Sequence, residues 1–300
     1  MHLVMILSAI AFAWGLRQAT PLWLGSNRQI SNQNVTHDWH QRWWRSLFLL
    51  TFPPLLVLTT SLAVLCMGHH GLMVGLPASK SGCAIAVGIC IYLVLIGLQL
   101  FISIRNSTRQ IATYNKIELD GKSARVLEVP TLFAAQVGLW QPELVISRGM
   151  LTEFTPDRLQ AVLCHEQAHY HYHDTFWFFW LGWLRQATFW LPNTEALWQE
   201  LLLLRELRAD RWAAQQVDPL LLAESLLMTV TSAIAPDNFS ELDYGVGLNQ
   251  WKEGEQGDRL AERIDALLAE AEPIPRPKPW YLTWLIAVLL PFLSLPLHLS

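Results

Sequence analysis

The chain has 300 residues, of which 52% are hydrophobic and only 15% are charged, and its net charge at pH 7 is −4. Soluble domains usually carry about 25% charged residues, so the composition points away from an ordinary soluble protein. The small negative net charge gives no indication of direct nucleic-acid binding.

Three segments without a charged residue have the length that a membrane crossing requires. They cover residues 46–67, 83–104 and 280–297, and about 20 apolar residues cross the hydrocarbon layer of a bilayer. A shorter apolar segment begins the chain, and Arg17 follows it, whereas no basic residue precedes it. Because a signal peptide needs the opposite order, we expect a retained first helix over about residues 1–24.

Basic residues lie almost entirely on one side of this four-span arrangement. With only the two ends of the long third connection counted, the segments that flank the spans place nine Lys and Arg residues on one side and only Lys80 on the other. Because Lys and Arg mark cytoplasmic segments, residues 105–278 are predicted to form a cytoplasmic domain. The sequence therefore predicts a multi-pass membrane protein with three transmembrane helices in 1–104, this domain, and a fourth helix at 279–300.

Turn residues and short apolar runs predict hairpin strands between residues 124 and 147 of this domain. Thr155, Pro156 and Asp157 are typical of the start of a helix. We therefore predict a helix from Pro156 to about His173, with an apolar face at helical spacing.

The predicted helix carries the motif His165-Glu166-Gln167-Ala168-His169. Residues at i and i+4 share one face of a helix, so both imidazoles can bind one metal ion. Imidazole nitrogen is a preferred ligand of zinc, and Glu166 beside the first ligand is placed to act as a general base towards water. This pattern is expected by chance about 0.02 times in a chain of this composition. The motif predicts a catalytic site with one Zn²⁺.

A catalytic zinc site needs a third protein ligand. Glu206 and Asp210 also stand at i and i+4, within Arg205–Asp210. We predict that Glu206 is the third ligand, and that Asp210 accepts a hydrogen bond from the outer nitrogen of a ligating histidine.

The segment 175–191 between the two motifs is rich in Phe and Trp. The ligands must lie on one side of the membrane, and the 36 residues between His169 and Glu206 are too few for two crossings of about 20 residues each. We therefore expect a helix that lies at the membrane interface or packs against the spans.

Other polar residues near the motif have weaker indications. His173 follows His169 by one turn, but a place beside the ligands or at the surface is favoured because Glu206 completes the site. Asp174 is interpreted as closing the helix or binding nearby backbone. Arg259 and Arg263, in a predicted helix at 258–268, are candidates for stabilising an oxyanion or for surface ion pairs.

These motifs resemble those of the BlaR/MecR-type membrane zinc metallopeptidases. The resemblance rests on the segments 138–147 and 159–169, on Asp174, and on Glu206 with Asp210. HtpX-type membrane proteases share the His-Glu-x-x-His and Glu-x-x-Ala-Asp motifs, whereas Asp174 and the single span after the domain favour the BlaR/MecR type. The resemblance implies a mainly α-helical integral membrane protein of the bacterial cytoplasmic (inner) membrane, with an α+β zincin-like (gluzincin) domain between spans three and four.

The resemblance also implies regulated proteolysis of a BlaI/MecI-type repressor, with quality control of membrane proteins, as by HtpX, as the alternative. We expect a short form without the penicillin-binding sensor domain, so a separate sensor protein is an expected partner, beside membrane lipid and the protein substrate. A non-catalytic receptor or scaffold with structural zinc is a third interpretation, in which His173 would be a fourth ligand. For substrate binding, we expect an exposed edge strand formed by Leu144, Val145, Ile146 and Ser147.

Overall fold

The computed structural model describes residues 1–19, 35–68, 72–73, 76–77, 80–119, 121–232, 256–269 and 283–299. The chain divides into two compact units. The first comprises Met1–Leu98, Trp183–Leu201 and Ile274–Ser300, and the second comprises Gln99–Gly182 and Leu202–Pro273. The predicted domain boundaries at 104 and 278 stay predictions.

Long apolar helices dominate the first unit. They are α1 (His2–Gln18), α2 (Val35–Met67) and the first part of α3 (Lys80–Ala112). Within the described residues, Trp39–Met67 and Lys80–Ala112 are the two helices that are long and apolar enough to cross a membrane. They contain the predicted second and third spans. A small sheet in the same unit joins β1 (Leu72–Met73), β2 (Leu76–Pro77) and β7 (His298–Leu299).

The other two predicted spans have a different form. The apolar helix α1 has 17 residues, and residues 20–24 of the predicted first span lie outside the described part of the chain. The last predicted span is a short α-helix, α10 (Trp284–Val288), followed by a 3₁₀-helix over Leu290–Leu297. Pro291 and Pro296 account for the interruption, because proline has no N–H to donate and clashes with the preceding helical turn. A four-helix crossing of the membrane therefore stays a prediction.

The second unit contains a four-stranded sheet with the strand order β3-β4-β6-β5. Its strands are β3 (Asn115–Leu119), β4 (Lys122–Leu127), β5 (Ala134–Val137) and β6 (Glu143–Ser147). The pairs β3–β4 and β5–β6 are antiparallel, whereas β4 and β6 are parallel. Strands are thus present between residues 124 and 147, and the structure adds β3, in which Lys116 and Glu118 interrupt any apolar run.

Strand β6 lies inside this sheet, which corrects the expectation of an exposed edge at Leu144, Val145, Ile146 and Ser147. Its residue Leu144 is paired with Ala124 on one side and with Gln136 on the other. The Oγ of Ser147 accepts hydrogen bonds from the backbone N–H groups of Phe133 and Met150. A continuous apolar run is typical of a strand that is buried between neighbouring strands. The apolar run in β6 therefore reflects its place inside the sheet and does not mark an edge for substrate binding. The edge strands are β3 and β5.

Besides the last part of α3, the second unit contains several helices, one of which carries the motif. They are α4 (Arg148–Glu153), α5 (Pro156–His171), α8 (Pro219–Ser232), α9 (Gln256–Leu268), and parts of α6 (Asp174–Ala187) and α7 (Thr194–Ala213). Ile146 of the sheet and Val162 of α5 belong to one buried apolar cluster. Ala161 and Cys164 of α5 belong to another, together with residues of α8 and α9. Helix α5 is therefore fixed from two directions.

Candidate metal centre

Helix α5 places the three principal residues of the motif in the protein interior. It begins as predicted, with Thr155 in an extended conformation before it and Pro156 and Asp157 in its first turn. The sheet and the helices α8 and α9 cover its apolar faces. His165, Glu166 and His169 are exposed by only 5, 7 and 9%. Polar groups buried to this extent need partners, which the surrounding helices provide.

The ring nitrogens of the two histidines converge with the Glu206 carboxylate of α7. The two Nε2 atoms lie 3.2 Å apart. Glu206 Oε2 lies 3.3 Å from Nε2 of His165, and its Oε1 lies 3.7 Å from Nε2 of His169. Tetrahedral zinc with ligand bonds of about 2.0–2.2 Å separates its ligand atoms by roughly 3.3 Å. The three side chains therefore fit one zinc ion.

A second carboxylate, that of Glu166, lies close to the same two histidines. One ligand atom from each of His165, Glu166 and His169 lies within 4.8 Å of the others, and this His-Glu-His cluster is compatible with a zinc site. Burial raises the pKa of Glu166. Burial alone would also raise the pKa of Glu206, but the charges of Arg205 and His169 and the hydrogen bonds of the two histidines together hold that pKa well below its usual range. Two neighbouring carboxylates with opposite pKa shifts suit different chemical roles.

The outer nitrogen of each histidine faces an aspartate. Nδ1 of His165 lies 2.8 Å from Oδ1 of Asp210. Nδ1 of His169 is hydrogen-bonded to Oδ2 of Asp174 at 2.8 Å. Burial lowers the pKa of His165, but Asp210 and Glu206 together raise it to about 10. The surroundings therefore favour positive charge at this point, as a metal-binding site requires.

Each carboxylate that contacts a histidine also has an arginine partner. The pairs are Arg205 with Glu206, Arg208 with Asp174, and Arg263 with Asp210. Burial alone would raise the pKa of Asp210, but Arg263 and His165 together lower it below its ordinary value. These arginines offset the cost of burying several carboxylates close together.

The structure brings together most of the residues that the sequence singled out, with exceptions. His173 is an exposed turn residue with a φ of 52°. Asp174 binds a histidine side chain, whereas the sequence suggested backbone or a helix end. The sequence places Asp174 five residues after His169. This spacing indicates a contact only when a break in the helix between the two residues is already known.

Residues 103–207 match the family model described as Peptidase family M48. The matched part includes the His-Glu-x-x-His motif and Glu206, and it ends before Asp210. This match supports a metallopeptidase and hence a hydrolase, in agreement with the cluster on α5. Comparison with curated proteins and with solved structures gives no match.

Proposed function

We propose that the chain is a membrane-embedded, zinc-dependent endopeptidase that hydrolyses peptide bonds at the cytoplasmic face of the bacterial inner membrane. The observation that carries the proposal is the convergence of two Nε2 atoms and one carboxylate within 3.7 Å on buried helices. The match of residues 103–207 to peptidase family M48 supports the same reaction class.

In this proposal His165, His169 and Glu206 hold the zinc ion. A zinc ion held there would supply a Lewis acid for the scissile carbonyl and would lower the pKa of water. Asp210 fixes the ring of His165 through its outer nitrogen, so that Nε2 stays directed towards the metal. Asp174 does the same for His169, a role that the sequence did not assign to this residue.

Glu166 is the proposed general base. It takes a proton from the attacking water while the water oxygen bonds to the carbonyl carbon. When the C–N bond breaks, the same carboxyl returns the proton to the leaving amine nitrogen. A pKa raised by burial suits a group that must both accept and release a proton near neutral pH.

Strand β5 is the proposed binding site for the substrate backbone. It is an edge strand, and helix α5 with the motif packs against it. An extended peptide that adds to such an edge gains main-chain hydrogen bonds irrespective of its sequence. This arrangement would carry the scissile bond past the motif helix.

Regulated cleavage of a BlaI/MecI-type repressor, with a separate sensor protein, is the favoured role. The motifs shared with HtpX-type proteases support membrane protein quality control as the second candidate. The non-catalytic alternative loses support because His173, its candidate fourth ligand, is an exposed turn residue.

The substitution Glu166→Gln tests the proposed reaction. The full-length chain in detergent should bind one zinc ion per chain, and the variant should keep the metal while losing cleavage of an unstructured protein such as casein. Glu153→Gln is a matched control, because Glu153 is an exposed carboxylate of α4. Cleavage by zinc-loaded Glu166→Gln at the rate of the unmodified chain would refute the role of Glu166.

The two cellular roles are separated by trapping substrates on the inactive Glu166→Gln variant in cells. One soluble DNA-binding repressor among the trapped proteins supports signalling. A broad set of membrane proteins supports quality control instead.

A further inference from the structure

An arginine of helix α9, Arg263, lies beside the candidate metal centre and contacts Asp210. Nε and Nη2 of Arg263 donate hydrogen bonds to Oδ2 and Oδ1 of Asp210, at 2.7 and 2.8 Å. The same Oδ1 lies 2.8 Å from Nδ1 of His165. Both side chains are largely buried, with exposures of 12% for Arg263 and 2% for Asp210. Arg263, Asp210 and His165 thus form a series of close polar contacts, called the relay below, that ends at a proposed zinc ligand.

The two-pronged contact fixes the orientation of the aspartate. A planar guanidinium that donates two parallel hydrogen bonds holds both carboxylate oxygens, whereas a single donor would leave the carboxylate able to rotate. Arg263 also reaches towards the third proposed ligand, with Nη1 3.6 Å from Oε2 of Glu206. One side chain therefore constrains a partner of His165 and faces Glu206 as well.

Apolar packing holds α9 in the position that this contact requires. Leu260, Ile264 and Leu267 lie on one face of α9 and belong to the cluster that contains Ala161 and Cys164 of α5. Cys164 immediately precedes the motif on α5, and Ala161 lies about one helical turn before it. Arg263 is 53 positions after Asp210 in the chain, beyond the residues that match the peptidase family. A late segment thus contributes to the geometry of the motif helix.

We propose that Arg263 is a positioning residue that sets the affinity of the zinc site by locking Asp210 against His165. The inference rests on the proposed zinc-binding function. It assigns to α9 a role in completing the metal centre. Arg208 contacts Asp174, which in turn contacts His169, so each histidine has an aspartate neighbour with an arginine behind it, and α9 provides the arginine on the His165 side.

The test is the zinc affinity of the full-length chain in detergent, measured by competition with a chelating dye. Removing a group behind a metal ligand typically weakens metal binding about 10- to 100-fold, and we expect this loss for Arg263→Gln. Arg263→Lys keeps the positive charge but lacks the planar guanidinium. Its zinc affinity should therefore lie between that of the unmodified chain and that of Arg263→Gln. Arg158→Gln is the matched control, since it removes a partly exposed ion pair of Arg158 on α5 with Glu224 and should leave zinc affinity unchanged.

A double-mutant cycle shows whether Arg263 acts through Asp210. In an Asp210→Asn background, Arg263→Gln should cause little further loss of affinity, and full additivity would overturn the relay. If Arg263→Gln does not fold, the cycle is made with Arg263→Lys. If the unmodified chain binds zinc and both Arg263 variants bind it equally well, the positioning role is wrong while the proposed function stands. If the unmodified chain binds no zinc, the proposed function itself fails.

Discussion

Asp174 holds the outer nitrogen of His169, with 2.8 Å between Oδ2 and Nδ1. Helix α5 ends at His171, and His173 adopts a φ of 52° in the turn that follows. This sharp turn returns the chain, so that the first residue of α6 faces the last histidine of the motif. The break between the two helices is therefore part of the site, because a continuous helix would direct residue 174 elsewhere.

Replacing Asp174 by alanine should weaken zinc binding about 10- to 100-fold, since His169 would lose the partner that fixes its ring and tautomer. The affinity is measured by chelator competition on the purified full-length chain. Asp218→Ala is a suitable control, because the side chain of Asp218 accepts a hydrogen bond from Leu220 N at the start of α8 and is exposed. Zinc affinity that is the same in both variants would contradict the proposed role of Asp174.

Substitution of Gly149 in α4 tests how tightly this helix packs against the chain before β5. A Cβ added at Gly149 would lie 1.9 Å from the backbone oxygen of Pro130 and 2.4 Å from its carbonyl carbon. Because backbone atoms cannot move aside as a flexible side chain can, Gly149→Ala should lower the free energy of unfolding by about 1–3 kcal/mol. Thermal unfolding followed by tryptophan fluorescence measures the loss. At Gly257, where an added Cβ meets nothing within 4 Å, the same substitution should cause no loss.

The sequence was sufficient to predict the local parts of the candidate site. His165, Glu166 and His169 share one helix, and Glu206 and Asp210 share another, so helical spacing alone places each set on one face. The contacts of Arg263 and Asp174 could not be predicted in this way. One depends on the packing of α9, which is remote in sequence, and the other on a left-handed turn at a histidine.

The same limit applies to the fold. The apolar run at 144–146 correctly indicated a strand, but periodicity does not tell whether a strand is central or at an edge. That distinction depends on β3 and β4, which pair through residues with charged side chains such as Lys116 and Arg125. Composition likewise indicated an apolar segment at 280–297, whereas Pro291 and Pro296 determine its helical form.

From the Arg125–Glu143 ion pair we predict a pH-dependent contribution to the free energy of unfolding. Nε of Arg125 lies 2.7 Å from Oε2 of Glu143, and this hydrogen bond holds the pKa of Glu143 below its ordinary value of 4.5. A carboxyl whose pKa is lower in the folded state stabilises the fold above pH 4.5. This stabilisation is lost as the pH falls through the lowered value. Because the Glu143 side chain is 42% exposed, the effect should be at most about 1 kcal/mol.

The measurement compares the unmodified chain with Glu143→Gln in unfolding experiments from pH 7 down to the acid limit. The difference in unfolding free energy between the two proteins should be constant at neutral pH and shrink below pH 4.5. Taking this difference removes the contribution of the histidines and carboxylates of the metal centre, which both proteins share. A difference that grows on acidification would contradict the ion pair.

Removing zinc should lower the free energy of unfolding of the second unit, because all three proposed zinc ligands belong to it. A ligand that binds only the folded state stabilises it by about 2.7 kcal/mol when its free concentration is 100 times the dissociation constant. Addition of zinc to chelator-treated protein should therefore raise the unfolding temperature of the unmodified chain. Glu166→Gln should show the same increase because it keeps the three proposed ligands. His165→Ala should show little or none, and an equal increase in that variant would place the zinc at another site.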